Sequence, residues 1–203
     1  MVGRENKEKH TKLSKVILAS SSEVRNRMLN QYFSEVISVP HNADEEKFKR
    51  LEQKPEEIVL RIAKEKALSV LEKYPTEIII ASDQILLCEN KVISKPKSLE
   101  EAIQKLLFLR NKVHKLYSSI FAIKTGKVYF QQVKMATLFF ANITQNDIKL
   151  YVKNNKKTVL TTVGSYKIEE NSKHKFLSNI DGDLETILGF PIKDLIEKIK
   201  REE

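Results

Sequence analysis

Lys15-Val-Ile-Leu-Ala-Ser-Ser-Ser-Glu-Val-Arg25 decides the class of the fold. Its first six residues, KVILAS, read as a short buried strand, apolar without polar alternation. Three serines then meet a helix predicted over residues 23–33, so a strand feeds a helix with no linker. The rest of the chain keeps this mixture. Pro55 suits a first helical position, Glu56 and Glu57 suit the positive end of its dipole, and Pro75 stops that helix near Tyr74. Residues 77–81 (EIIIA) form a β-branched strand core. Ser98-x-x-Glu101 is a capping box before an apolar helix with Leu99, Ala102, Ile103, Leu106 and Leu107. Residues 113–130 predict two strands joined at Thr125-Gly126-Lys127. Thr144-x-x-Asp147 caps a helix reaching about Val152; residues 158–168 predict strand, and 191–200 a terminal helix. Interleaved helices and strands predict an α/β fold around a mixed central sheet.

A chain of 203 residues suits one such domain, expected over 13–203 behind a mobile polar tail at 1–12. Hydrophobic residues at 41% and charged residues at 31% fit a folded, well-solvated chain. No stretch approaches the roughly 20 apolar residues of a membrane span. The opening MVGRENKEKHTK lacks the apolar core of a secretory signal. Cys88 is the only cysteine, which excludes an internal disulfide; behind ILLC it reads as a buried, inert thiol of a cytoplasmic protein. The net charge of +9 raises a competing class, a basic nucleic-acid-binding module. The lysines are dispersed rather than gathered in a stripe, and aromatics are 7% with no RNP-like or zinc-finger pattern. A stable nucleic-acid or membrane partner is therefore not expected; small phosphates are.

Several constellations carry possible chemistry. Ser20 to Ser22 sit where free N–H groups and hydroxyls would face an anion, and Arg25 one turn on can fork onto phosphate oxygens. The plainer reading is that Ser22 caps the helix. Asp83, in I-I-I-A-S-D-Q, stands just beyond a buried strand, where open α/β sheets place ligands; it suits a divalent metal or a proton from attacking water. Asp44-Glu45-Glu46 follows a break at Pro40, and Lys95 lies in Ser94-Lys95-Pro96. Alone, these are solvated loop charges; together, acids to bind a cation and bases to offset pyrophosphate charge suit phosphoanhydride hydrolysis. Lys66 falls on one apolar helical stripe and Lys64 on another, and periodicity does not choose between them. No P-loop or dinucleotide fingerprint is present. His10, His41, His114 and His174 show no metal-ligand spacing and read as incidental.

Taken in order, these segments resemble the Maf family of nucleotide pyrophosphatases over about residues 15 to 200. The family opening L-A-S-x-S-P-x-R reads L-A-S-S-S-E-V-R here, keeping Ser20, Ser22 and Arg25 but not the proline. The family's D-E matches Asp44-Glu45, its A-x-x-K-A selects Lys66, its catalytic aspartate falls on Asp83, and its G-K-P reads Ser94-Lys95-Pro96. Gly164-Ser-Tyr-Lys-Ile-Glu169, I-D-G-D and L-G-F-P (Leu188 to Pro191) follow. The resemblance implies a two-lobed, inosine-triphosphatase-like architecture with a cleft between lobes, and an enzyme that cuts a nucleoside triphosphate to the monophosphate and pyrophosphate. It implies Asp83, Glu45, Lys66 and Lys95 as catalytic residues, with Asp83 and Glu45 holding Mg²⁺ or Mn²⁺. Ser20, Ser22 and Arg25 would bind the triphosphate; Val24, Gln84 and Glu169 would tune base choice. Ser82-Asp83-Gln84 and G-S-Y-K-x-E resemble the branch acting on 7-methyl-GTP, although Val24 replaces an aromatic there. The alternatives are the dTTP/UTP branch and a degenerate relative that binds nucleotides without turnover. A homodimer is also implied.

Overall fold

The structure, a computed structural model, describes residues 12–49 and 54–202. The expected tail lies, up to residue 11, outside the described residues. The elements run β1 (Leu13–Leu18), α1 (Glu23–Leu29), β2 (Phe33–Ser38), α2 (Glu45–Lys49), α3 (Pro55–Leu71), β3 (Ile78–Ala81), β4 (Gln84–Cys88), β5 (Lys91–Ile93) and α4 (Leu99–Leu109). They continue with β6 (Val113–Lys124), β7 (Lys127–Phe140), α5 (Gln145–Asn154), α6 (Lys156–Thr161), α7 (Asn171–His174), β8 (Leu177–Asp181), α8 (Leu184–Ile187) and α9 (Lys193–Glu202).

One mixed sheet joins all eight strands. β1 pairs in parallel with both β2 and β3, and β3 pairs antiparallel with β6. β4 also lies antiparallel on β6, with Gln84 opposite Ser118, while Ala81 of β3 is opposite Phe121. β3 and β4 are therefore one track along β6, broken only at Ser82-Asp83. The opposite edge of β6 is taken by β7, and β8 pairs with the end of β7. The α/β class and mixed sheet expected from sequence are what the structure has.

Alternation along the strands makes two apolar layers around the β1–β3 half. Ile17, Ala19, Ile79 and Ala81 face Ala63, Ala67 and Val70 of α3. Val16, Leu18 and Ile80 face Leu29 of α1 and Leu195, Ile196 and Ile199 of α9. A further core fills the β4–β7 half, where Leu86, Leu116 and Phe140 pack with residues of α4, α5 and α6. These two halves are the lobes, and β6 with β7 runs through both.

Two sequence expectations change. The helix predicted over 23–33 ends at Leu29, because Phe33 buries against the β1 layer and its segment pairs with β1. Residues 158–168, predicted as strand, form α6 and two 3₁₀ turns, Val163–Ser165 and Ile168–Glu170. Packing of Val159, Leu160 and Val163 against the second core outweighs the β-branched preference of the two valines. The N-caps form as expected, with Ser98 and Thr144 hydroxyls accepting the N–H of Glu101 and Asp147, while the Glu101 carboxylate accepts the Lys97 N–H rather than closing a full capping box on Ser98.

Candidate active site

Three parallel strands end along one edge of the sheet, and each delivers site residues there. Ala19 donates its N–H to Ile80 and Val39 donates to Leu18, so the ends of β1, β2 and β3 are level. Beyond them come Ser20 to Ser22, then Pro40-His41, then Ser82-Asp83. This is the carboxyl-end crevice that such sheets offer to ligands.

Asp83 sits in the break of the β3–β4 track and is only 4% exposed. Its backbone is held on β6: the Asp83 N–H donates to Ser119 Oγ at 3.2 Å, and Ser119 N–H donates to Asp83 O at 2.9 Å. Ser119 Oγ in turn donates to Val59 O of α3 at 2.8 Å, tying the break to the helix above it. From that helix Lys66, buried in the same stripe as Ile62, Ala63 and Val70, reaches down. Its Nζ lies 2.7 Å from Asp83 Oδ1 and 2.8 Å from Glu45 Oε1. Lys64, on the other stripe, is exposed. Asp83 Oδ2 is buried with no partner among the described residues.

Glu45 is the first residue of α2, and Asp44 caps that helix by accepting the Lys47 N–H at 3.2 Å. The Asp-Glu pair thus divides into a cap and an inward carboxylate. Phe48 anchors α2 against Ile58 and Ile62 of α3.

Arg25 makes a knot with two backbone carbonyls. Its Nε donates to Gly189 O at 3.2 Å and its Nη1 to Ser82 O at 2.8 Å; Ser82 Oγ also donates to Gly189 O, at 2.7 Å. Burial lowers the Arg25 pKa, while the charges of Asp83 and Glu45 oppose that shift. With its other N–H groups it remains a cation able to meet an anion. Gly189 has φ +79°, and a Cβ there would come within 3.2 Å of the Gln84 side chain.

The remaining expected residues fall around this centre. Ser22 caps α1 through its hydroxyl, which accepts the Arg25 N–H, and Ser20 Oγ accepts the Ser22 N–H. Val24 is half-buried on α1. Gln84 is a clasp, its Nε2 donating to Ser118 Oγ, Thr186 O and Ile187 O at 3.0 Å each. Lys95 is exposed past β5, whose antiparallel register with β4 carries the chain back toward the Asp83 end. Glu169 is exposed in the second lobe, where burial first, then Glu170 and lastly the charge of Glu169 raise the pKa of Tyr151 and keep its hydroxyl protonated. Two open depressions of about 400 Å³ adjoin the centre in the chain, one lined by Ser21, Ser22, Asn26 and Ser38, the other by Asn42, Asp44, Phe48 and Ser69. Neither is walled by Asp83, Lys66 or Arg25.

Sequence reasoning gave Ser82 and Ser119 no holding role and set His41 aside. The serines carry no spacing signal, since their roles come from the register of β3, β4 and β6. His41, read as incidental, has Nε2 3.5 Å from Glu45 Oε1. Burial first, and then the charge of Lys66, lowers its pKa.

The Maf-like protein family matches residues 15–202 of this chain. A protein named nucleoside triphosphate pyrophosphatase from Pelagibacter ubique is 32% identical over 192 residues, covering 93% of this chain and 98% of that one. A 7-methyl-GTP pyrophosphatase from Bartonella henselae is 31% identical over 190 residues, covering 93% and 96%. Among solved structures, a HAM1 protein from Coxiella burnetii is similar at a TM-score of 0.45 and 13% identity, covering 93% of this chain and 100% of that one.

Proposed function

The chain belongs to the Maf-like protein family, and from that premise we propose that it is a nucleoside triphosphate pyrophosphatase. Water attacks the α-phosphorus of the substrate, the bond to the bridging oxygen breaks, and nucleoside monophosphate and pyrophosphate leave. The observation that carries this reading is the orphaned Asp83 Oδ2, a buried carboxylate oxygen with no donor among the described residues and braced through Oδ1 on Lys66. Such an oxygen can take the proton of the attacking water, a role worth on the order of 10²–10⁴-fold. Lys66 and Arg25 supply positive charge where the pentavalent phosphorus and the leaving pyrophosphate gather negative charge.

The residues also fit a divalent cation. Among the described residues no three His, Cys, Asp or Glu side chains converge as a ligand set. Mg²⁺ or Mn²⁺ on a triphosphate needs only one or two protein carboxylates, with phosphate and water oxygens filling the remaining positions. Asp83 and Glu45, both within reach of one ammonium, are those carboxylates. When bound, the cation would offset phosphate charge and orient the triphosphate. Ser20, Ser22 and Lys95 belong, in this reading, to triphosphate binding and leaving-group neutralisation.

The finer substrate proposal is a 7-methylated guanosine triphosphate, supported by Ser82-Asp83-Gln84 and by the name of the Bartonella relative. Val24, Gln84 and Glu169 would tune the base. We place the enzyme in the cytoplasm as a homodimer; among the described residues no helix is long and apolar enough to cross a membrane. The test is a panel of 7-methyl-GTP, GTP, dTTP and UTP with Mg²⁺ or Mn²⁺, assayed separately for pyrophosphate and orthophosphate. Pyrophosphate release, fastest from 7-methyl-GTP, is expected. Orthophosphate alone, or no product, overturns the hydrolytic reading, and preference for dTTP or UTP overturns the substrate.

A further inference from the structure

The two faces of the sheet are unequally covered in the second lobe. On one face Leu86, Leu116, Ala136 and Leu138 are buried under α4, α5 and α6. Register fixes what lies on the other. Val92 of β5, Leu87 of β4, Lys115 of β6, Thr137 of β7 and Asp181 of β8 form one row across five strands. Met135 stands beside Tyr117 in the row on one side of it, and Phe139 beside Val113 in the row on the other. The first turns of α3 cover only the near end of this face, where Val59 packs on Ile85 and Tyr117. Along β4 that covered stretch separates Asp83 from Leu87, so the open face is no part of the site. Beyond it Met135 is 45% exposed and Val113 49%, while Phe139, Leu87 and Val92 are half-buried. Apolar side chains gathered in the open and rimmed by charge mark an interaction surface.

Two charges identify the occupant. Lys115 and Asp181 flank Thr137 from the two neighbouring strands, and both are exposed. Neither makes an ion pair or a side-chain hydrogen bond among the described residues. A two-fold axis lying in the interface along β7 carries the β6 side of one copy over the β8 side of the other. Lys115 of one protomer then faces Asp181 of its partner, twice, while Met135, Thr137 and Phe139 meet their own counterparts. Packed sheets lie about 10 Å apart, a gap that a lysine and an aspartate reach across together. Five strands at about 4.8 Å spacing make the strip about 19 Å wide, the scale of the apolar centre of a standard interface of about 800 Å² per protomer. Opposite charges set symmetrically about one strand are what self-association requires; a foreign partner requires no such balance. We propose that this face is where two copies of the chain pack, sheet on sheet, with the two-fold axis along β7. The inference rests on the homodimer of the reading above and gives it a surface; it does not rest on the hydrolytic chemistry.

The test is sedimentation velocity of the full chain across micromolar concentrations. Met135→Arg, which sets like charges against each other on the axis, is expected to be monomeric where the wild type is dimeric. Lys115→Glu and Asp181→Lys each bring like charges face to face, and each weakens the dimer about tenfold or more. Mixed together, the two variants form a heterodimer as tight as the wild type, because each reversed charge meets the other. The double variant does the same alone. Misfolding does not produce recovery on mixing. A wild type that stays monomeric throughout overturns the proposal and the homodimer with it. A dimer untouched by Met135→Arg, or charge variants whose mixture is as weak as either alone, overturns the surface and leaves the homodimer to another face. Pyrophosphate release is assayed on the same samples. Its absence from the wild type overturns the hydrolytic reading, while sedimentation still decides where the copies meet.

Discussion

Lys66 Nζ and Asp83 Oδ1 lie 2.7 Å apart, one side chain reaching from the middle of a helix and the other from a gap between two collinear strands. Both are almost wholly buried, at 3% and 4% exposure. Each is the reason the other can stay charged away from water.

Removing one partner should therefore cost more than removing both. Lys66→Met leaves Asp83 as a buried carboxylate beside Glu45, and a loss of about 3–5 kcal/mol is expected. The double variant Lys66→Met with Asp83→Asn should regain part of that loss. Urea denaturation of the three proteins checks the order; equal stability of the two variants would rule out a coupled pair.

Asp83→Asn alone keeps a side chain of the same shape in the β3–β4 gap but cannot accept the proton of water. Turnover should fall by on the order of 10²–10⁴-fold, with the far-ultraviolet spectrum unchanged. Pyrophosphate release near the wild-type rate would remove Asp83 from the mechanism.

Gly189 gives its carbonyl to Arg25 and Ser82 from a backbone with φ +79°. Gly189→Ala combines a left-handed residue with a methyl group 3.2 Å from the Gln84 side chain. A destabilisation of about 1–2 kcal/mol is expected from the backbone alone, read as a shift in the denaturation midpoint.

His114 is a pH-dependent weak point away from the reaction. Its Nε2 meets Tyr166 Oη at 2.6 Å in the second core, and burial pushes its pKa down from 6.5 to about 4. Between those values the unfolded chain binds a proton that the folded chain refuses, so stability is lost as pH falls from 6.5 toward 4. The full effect is about 3 kcal/mol. Denaturation midpoints of wild type and His114→Gln, compared at pH 7 and pH 4.5, measure it; equal pH slopes would show that His114 carries none of it.

The sequence announced elements whose signals are local. KVILAS, the Pro55 start, the Ser98 and Thr144 caps and the Thr125-Gly126-Lys127 turn all lie where expected, because each depends on neighbours within a few residues. Signals set by distant partners were silent. Phe33–Ser38 becomes a strand because β1 lies beside it, and Thr158 to Thr161 becomes helix because a core lies beneath it. The site shows the same division. Ser20, Arg25, Glu45, Lys66 and Asp83 stood out through motif order, whereas Ser82, Ser119 and His41 acquire their partners only through strand register and the path of the chain after Pro40. Lys66 was separable from Lys64 by resemblance but not by periodicity, since both stripes are apolar and only one faces the sheet.

The long β6–β7 hairpin has a mechanical consequence. Because β3 and β4 are both stitched to β6, on either side of Asp83, the floor of the crevice is a single stiff beam. Any hinging of the two lobes about Asp83 would have to bend that seam. What the seam leaves unconstrained is the roof, where α2 is held to α3 by Phe48 and by the Glu45–Lys66 pair rather than by sheet hydrogen bonds.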